Sequence, residues 1–402
     1  MNLHSDYPYW MIREGLKNSF PTLQQDLTVD VLIIGGGITG ALISHKLCEA
    51  GVGVALVEKN HVAHGSTSAS TAMLQYEIDT PLFKLSKLRG EQNALRAYTL
   101  CLDAITRIET LCANFPGQAD FERHPSLWYA TYKKHVAELL APEFAARQKS
   151  GFAVEWLSEQ HVGDKFGFAA PAAILSADAA QVNPYLMTNF LLDAVTAKGG
   201  HVHELTEVVK LTPSTRNVVV ETKNGITIKA KYVVIAAGYE AQKYLAKNYS
   251  RLHSTYAIIS KPLARKSQWY KNALIWETKT PYHYLRTTGD NRIIVGGRDE
   301  AFYSPGKRDR LLSRKSVELL QDFAKLFPDI PFETDFAWAG TFSETKDGLP
   351  YIGPEDHKRI LFAMGYGGNG ITFSVIAAEI LTDLIQGKNN ADAHIFAFAG
   401  RG

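Results

Sequence analysis

Gly35, Gly37 and Gly40, with Glu58 downstream, are the residues whose types and spacing most directly imply chemistry. The glycines lie in Gly35-Gly36-Gly37-Ile38-Thr39-Gly40, directly after the apolar run Val31-Leu32-Ile33-Ile34. Gly35 suits the tight turn that leaves a strand. Gly37 lets backbone approach a diphosphate, and Gly40 lets the next helix pack closely on the strand. A helix opening at Ile38 and Thr39 turns its first amides and its positive end toward that diphosphate. Glu58 closes a second apolar run, Val54-Ala55-Leu56-Val57. A carboxylate there accepts both hydroxyls of a ribose and repels a 2′-phosphate, which disfavours NADP. The unit reads as a dinucleotide site, and the rest of the chain must explain what the dinucleotide is for.

Other chemistries find little support. His61 with His64, and His201 with His203, lack partners at metal-ligand spacing, so no metal is expected. No G-x-S-x-G or G-x-x-x-x-G-K-[ST] motif is present. The net charge of +2 gives no global field for nucleic acid. The basic stretch from Lys307 to Lys315 reads as a solvated helix face. Cys48, Cys101 and Cys112 form no C-x-x-C pair, which fits a reducing compartment. With no apolar run of spanning length and no secretory segment, the expected location is the cytoplasm.

The elements that must position the chemistry follow from pattern. At 402 residues two domains are expected. Ile38 to Ala50 reads as the first helix, with Gly51 as its stop. Gly65 to Leu74 is small and hydroxyl-rich, then apolar, and suits a planar ligand lying against backbone. Asn183-Pro184 reads as an N-cap and first helical residue. Tyr232 to Gly238 is another buried strand ending on small residues. Tyr282 to Arg286 and Arg292 to Gly297 form a hairpin across Gly289-Asp290-Asn291. Leu311 to Phe327 and Ile371 to Gln386 are helices. Residues 1–27 form an aromatic-rich lead-in. The fold class is α/β: a Rossmann-like nucleotide-binding domain from residues 28–88, 180–245 and 340–402, with an antiparallel-sheet substrate domain from 89–179 and 246–339.

These residues resemble the D-amino-acid-oxidase superfamily of FAD-dependent oxidoreductases, nearest its glycine oxidase, sarcosine oxidase and γ-glutamylputrescine oxidase-like branch. Four segments carry the resemblance: the fingerprint with Glu58, the Thr67 to Leu74 loop, Val234-Ile235-Ala236-Ala237-Gly238, and Thr345-Lys346-Asp347-Gly348-Leu349-Pro350-Tyr351-Ile352-Gly353 followed by Gly365 to Gly370. The resemblance implies FAD, with Gly35, Gly37, Ile38, Thr39 and Gly40 at the pyrophosphate, Glu58 at the ribose and Lys59 by the adenine. It implies Thr67 and Ser68 near the pyrophosphate or ribityl chain, and Ala72, Met73 and Leu74 at the flavin edge. Val208 would reach the adenine, Ala237 and Gly238 the diphosphate, and Gly367, Gly368, Asn369, Gly370, Ile371 and Thr372 the pyrimidine end of the ring.

Departures from the family pattern bear on the substrate. The arginine of a Trp-x-Gly-x-Arg segment that grips a substrate carboxylate is Phe342 here, and a second basic position is Gly368. That shifts the expected substrate from a plain amino acid to a small amine or N-substituted amine. Tyr284, Arg286, Phe342 and Tyr366 are the expected substrate contacts, and no catalytic acid or base is named. The positions of the family's cysteine and histidine tethers fall near Gly340 and at Ala69, so FAD is expected to be non-covalent. Ile294 stands where sarcosine oxidases carry an oxygen-activating lysine, which leaves oxygen or another electron acceptor open. The expected reaction passes a hydride from the carbon beside nitrogen to flavin N5, after which the imine hydrolyses. Alternatives are a plain amino-acid oxidase or dehydrogenase, an NAD-dependent dehydrogenase, and a flavin-containing binding protein without turnover.

Overall fold

The computed structural model describes residues 2–5, 7–115, 117, 119–264 and 268–401. The lead-in residues 1 and 6 lie outside them. Two sheets organise the chain. The first runs in the order Tyr351–Pro354, Ile360–Met364, Thr227–Ile235, Leu27–Ile34, Val54–Val57, His201–His203, with Val218–Thr222 antiparallel to Thr227–Ile235 and Val208–Pro213 antiparallel to Val218–Thr222. Its centre is parallel: Ile34 pairs with both Val57 and Ile235. This register brings the carboxyl ends of three strands together, and so brings Gly35, Glu58 and Ala236 together. Both faces are covered, which is why these strands read as unbroken apolar runs.

The second sheet runs Thr334–Glu344, Arg251–Ser260, Ile293–Glu300, Tyr284–Thr287, Leu274–Glu277, Glu122–Tyr129, Ala172–Gln181, Met73–Gln75, with Val154–Ser158 also on Ala172–Gln181. It is antiparallel apart from the Leu274–Glu277 and Glu122–Tyr129 pair. The expected hairpin is present, with Tyr284 opposite Gly296. Asn183 caps the helix Pro184–Ala197, its side-chain oxygen accepting from the Leu186 amide at 3.1 Å.

Three features differ from the sequence reading. The helix Glu91–Ala113, expected in the substrate domain, packs its buried face into the apolar cluster of the first sheet and its helices, and touches the second sheet at Met73–Gln75 and Ala172–Gln181. Its amphipathic stripe shows that it needs a partner but not which one. Met73–Gln75 and residues 340–344 belong to the second sheet. The basic stretch is not a wholly solvated face. Arg308 and Lys315 of the helix Pro305–Leu326 are buried, Arg308 donating to the Asn2 carbonyl and Thr341, Lys315 to Glu300 at 2.6 Å and the Arg298 carbonyl at 3.1 Å.

Candidate active site

A single cavity of about 1200 Å³ runs from the carboxyl ends of the first sheet to the inner face of the second. Its first half is built by the glycine turn. A Cβ on Gly35 would stand 2.4 Å from the Ala236 carbonyl oxygen, and one on Gly40 would stand 1.9 Å from the Gly35 oxygen. Only hydrogen fits at either place. Gly37 opens the helix Ile38–Glu49 in extended backbone, and Thr67 accepts from the Ile38 amide at 3.0 Å. Glu58 accepts from the Gly36 and Asn60 amides at 2.8 and 2.9 Å. Burial pushes its carboxyl up, and those two amides hold it down. Lys59 is paired with Glu240 at the same end.

The middle of the cavity is formed by the loop before Met73–Gln75 and by the glycine loop at Gly365–Gly370. The two are tied together. Asn369 donates to the Gln75 and Glu77 carbonyls at 3.0 and 2.8 Å, and the Gly368 amide donates to Asp79 at 2.8 Å. The second half is walled by Thr255, Tyr284, Asp299 and Phe342 from the second sheet and by Tyr282, just before the strand Tyr284–Thr287. Tyr282 donates to Asp79 at 3.2 Å. The Tyr284 ring lies across Gly296, where any Cβ would stand 2.2 Å from it.

Most residues singled out from the sequence line this cavity: Gly35, Gly37, Ile38, Thr39, Glu58, Lys59, Thr67, Ala72, Met73, Val208, Ala237, Gly238, Gly367, Gly368, Gly370, Ile371, Tyr284, Phe342 and Tyr366. Others stand behind the wall. Gly40 packs on Gly35, Leu74 is core, Ser68 donates to the Gly65 carbonyl, and Thr372 donates to the Asn369 carbonyl. Arg286 does not reach the cavity. Its guanidinium donates to the Thr71, Ala72, Val182 and Thr287 carbonyls and lies 5.6 Å from the Trp10 ring. Burial lowers its pKa to about 9. It braces the loop at Thr71 and Ala72 from behind and, contrary to its expected substrate contact, offers no cation to the cavity. Tyr366 lines the cavity, but its ring packs with Phe373 and its hydroxyl lies by Thr39 and Ser374, on the fingerprint side. Ile294 is buried against Tyr9, Trp10 and Trp338.

Sequence reasoning missed Asp79, Thr255, Tyr282, Asp299 and the lead-in residues Asn2, Leu3 and His4, of which all but Asp79 line the cavity. Asp299 has one signal, the Gly296-Gly297 pair inside its strand, because such glycines mark a bulge or a close backbone approach. The pairing indeed jumps from Tyr256 with Gly297 to Ser254 with Glu300. Burial raises the Asp299 carboxyl to about 7, with the Asp79 charge adding to it and Thr255, His283 and Lys315 opposing it.

Residues 30–384 match the family described as DAO, FAD dependent oxidoreductase. The chain belongs to that family. It is therefore an FAD-dependent oxidoreductase, as the four segments above imply. It is 26% identical over 397 residues to a putative Rieske 2Fe-2S iron-sulfur protein of Bacillus subtilis, covering 96% of this chain and 74% of that one. It is 26% identical over 388 residues to gamma-glutamylputrescine oxidoreductase of Escherichia coli, covering 92% and 86%. The glycine oxidase structure from Geobacillus kaustophilus superposes with a TM-score of 0.78 at 23% identity, over 93% of this chain and 99% of that one, and shares the fold. The residues present fit FAD. Gly35 and Gly40 leave no room for a side chain, the buried Glu58 sits at the strand end, and the cavity joins the nucleotide turn to the second sheet. Among the described residues no helix is long and apolar enough to cross a membrane.

Proposed function

We propose that this enzyme oxidises the C–N bond of a small amine or N-substituted amine. One observation carries the reading: among the described lining residues, the second half of the cavity holds no arginine or lysine. The lysines that line the cavity are Lys59, Lys210 and Lys243, of the first sheet and its adjoining loops. A carboxylate-bearing substrate needs a cation at its binding place, and a bidentate arginine serves best. Here Phe342 stacks on His253 at 5.2 Å, and Arg286 is committed to backbone carbonyls. The relatives named for glycine and for gamma-glutamylputrescine support an amine or amino-acid substrate class; the cavity wall favours the amine.

FAD, held by the fingerprint, Glu58 and the two loops, supplies a two-electron oxidant that accepts hydride. The chain's own share is to bind the amine among Tyr282, Tyr284 and Phe342, orient its carbon toward the glycine loop, and exclude water. The FAD is held without a covalent link: Cys48, Cys101 and Cys112 are not lining residues, and Ala69 and Gly340 occupy the positions of the family tethers. Acid precipitation of the yellow protein should leave a colourless pellet and all of the flavin in solution.

The reading is tested by anaerobic bleaching of the flavin with a panel of alkylamines, N-methyl amines, N-methyl amino acids and plain amino acids. Amines should bleach it at least tenfold faster than glycine or alanine. Preference for a plain amino acid would sink the amine reading. Repeating the panel with oxygen and measuring peroxide separates an oxidase from a dehydrogenase that passes electrons elsewhere.

A further inference from the structure

This inference rests on the amine reading above and concerns Asp299. In the second half of the cavity, Asp299 Oδ1 is buried and has no hydrogen-bond partner among the described residues. The Thr255 hydroxyl, beside Asp299 and Tyr284, makes no hydrogen bond of normal geometry either. A buried carboxylate without a partner is unfavourable, and native structures seldom keep one without use.

Among the described residues, the cations that act on it, His283 and Lys315, are already paired with other carboxylates. His283 is 2.6 Å from Glu277 and also faces Asp322, and Lys315 is 2.6 Å from Glu300. The other groups near it are Asp79, Tyr282 and Tyr284, none of them positive. Asp79 is already occupied by the Gly368 amide and the Tyr282 hydroxyl. What Asp299 Oδ1 and Thr255 Oγ1 lack together is a ligand that carries a positive charge and several N–H donors. An ammonium group is such a ligand, whereas a carboxylate would be repelled.

We propose that Asp299 receives the ammonium group of the substrate and takes one of its protons before oxidation. The substrate class is then a primary or secondary alkylamine with no carboxylate next to the nitrogen. In this step an N–H bond of the ammonium breaks and an O–H bond forms on Asp299, with no change in total charge. The electron pair left on nitrogen is what allows the neighbouring carbon to release hydride. Burial and the Asp79 charge hold the acceptor near neutrality, ionised at pH 8 and able to keep a proton at pH 7.

The test uses the FAD-loaded protein and two probes of equal shape. tert-Butylammonium has no hydrogen on the carbon beside nitrogen and cannot be oxidised; pivalate carries a carboxylate in place of the ammonium. Calorimetry at pH 8 should show the cation binding at least tenfold more tightly than pivalate. Its affinity should fall about tenfold per pH unit below pH 7, as Asp299 becomes protonated. Asp299→Asn should weaken it at least tenfold while FAD content holds and Tm does not fall, and Asp299→Glu should recover part of the loss. With an oxidisable amine, Asp299→Asn should lower the bleaching rate at pH 7 by about a hundredfold or more and move its pH profile toward the amine's own pKa. Tighter binding of pivalate, or cation affinity unchanged in Asp299→Asn, overturns the proposal. If that variant does not fold, wild-type cation affinity that is flat between pH 6 and 8 overturns it. Bleaching by amines with indifference to Asp299 overturns this inference alone. Asp299-dependent cation binding with no bleaching by any amine supports the cation site and removes the oxidation reading.

Discussion

Asp299 and Glu58 are both buried carboxylates, yet their surroundings set opposite tasks. Glu58 accepts two backbone amides and stays close to the glycine turn. Glu58→Gln keeps the shape and removes the charge. FAD affinity should fall about tenfold, the value of one charge-assisted hydrogen bond weakened; equilibrium titration of the apoprotein with FAD checks it, and unchanged affinity would take Glu58 out of the ribose site. Asp299 has no such amides. Its folded pKa lies near 7, above the 3.8 of an ordinary aspartate, so the folded state binds the proton more tightly than the unfolded chain. Stability from this group is therefore full below about pH 4 and is lost as pH rises through about 7. At pH 8, without a ligand, the ionised group costs roughly 1–4 kcal/mol. Asp299→Asn should then raise stability at pH 8 and raise it much less at pH 5, as measured by urea unfolding. An equal gain at both pH values would show that the carboxyl does not titrate in the folded protein. The same substitution is expected to weaken amine binding, a residue kept for function against stability.

Elements explain which parts were legible in the sequence. The fingerprint, the Asn183 cap and the Gly289-Asp290-Asn291 hairpin were readable because each depends on a local rule of turn or cap chemistry. Arg286 and Asp299 were not, because a strand residue's face depends on the partner strands and on bulges. Alternation cannot tell that Arg286 points behind the Thr71–Ala72 loop, or that the Ser254–Tyr256 register jump sets Asp299 on the cavity wall. The Thr345 to Gly353 segment helped carry the family resemblance, yet none of its residues lines the cavity. It is a braced turn. Arg401 donates to Asp347 at 2.6 and 3.0 Å and to the Leu349 carbonyl at 2.8 Å, and Gly348 adopts φ +76 against Thr80. The turn feeds Tyr351–Pro354, which pairs with Ile360–Met364, the strand that delivers the glycine loop. Arg401→Ala strands Asp347 and buried carbonyls and should cost about 2–4 kcal/mol. Arg401→Lys should recover less than half, because an ammonium cannot reproduce the planar fork. Thermal unfolding of the two variants decides this, and full rescue by lysine would reduce the bridge to a point charge.

At the scale of the whole molecule, the lead-in fastens the two sheets around the cavity. Asn2 accepts from Arg308 at 3.2 Å, His4 pairs with Gly340, Ser5 donates to the Ala339 carbonyl at 3.0 Å, and Tyr9 donates to Asp290 at 2.9 Å, all on the substrate side. Glu14 and Gly15 accept from Asn183 and Tyr185 at 2.9 and 3.0 Å, at the head of a helix packed on the nucleotide core. Trp10 is the central rivet. It is 1% exposed, donates to the Ser70 carbonyl at 2.8 Å, and supports Arg286, which in turn holds the Thr71 and Ala72 carbonyls. A lead-in residue sixty positions before Ser70 thus fixes the backbone beside the expected flavin ring. Trp10→Ala should cost about 3–5 kcal/mol from lost burial and cavity formation. It should also raise the FAD dissociation constant at least tenfold, because the loop it holds forms part of the cofactor cavity. Trp10→Phe, which fills most of the volume but cannot donate to Ser70, separates the two effects. It should restore most of the stability and leave FAD affinity between wild type and alanine. If both variants lose stability but bind FAD as tightly as wild type, the lead-in serves the fold only. Loss of affinity in both would make it part of the cofactor site.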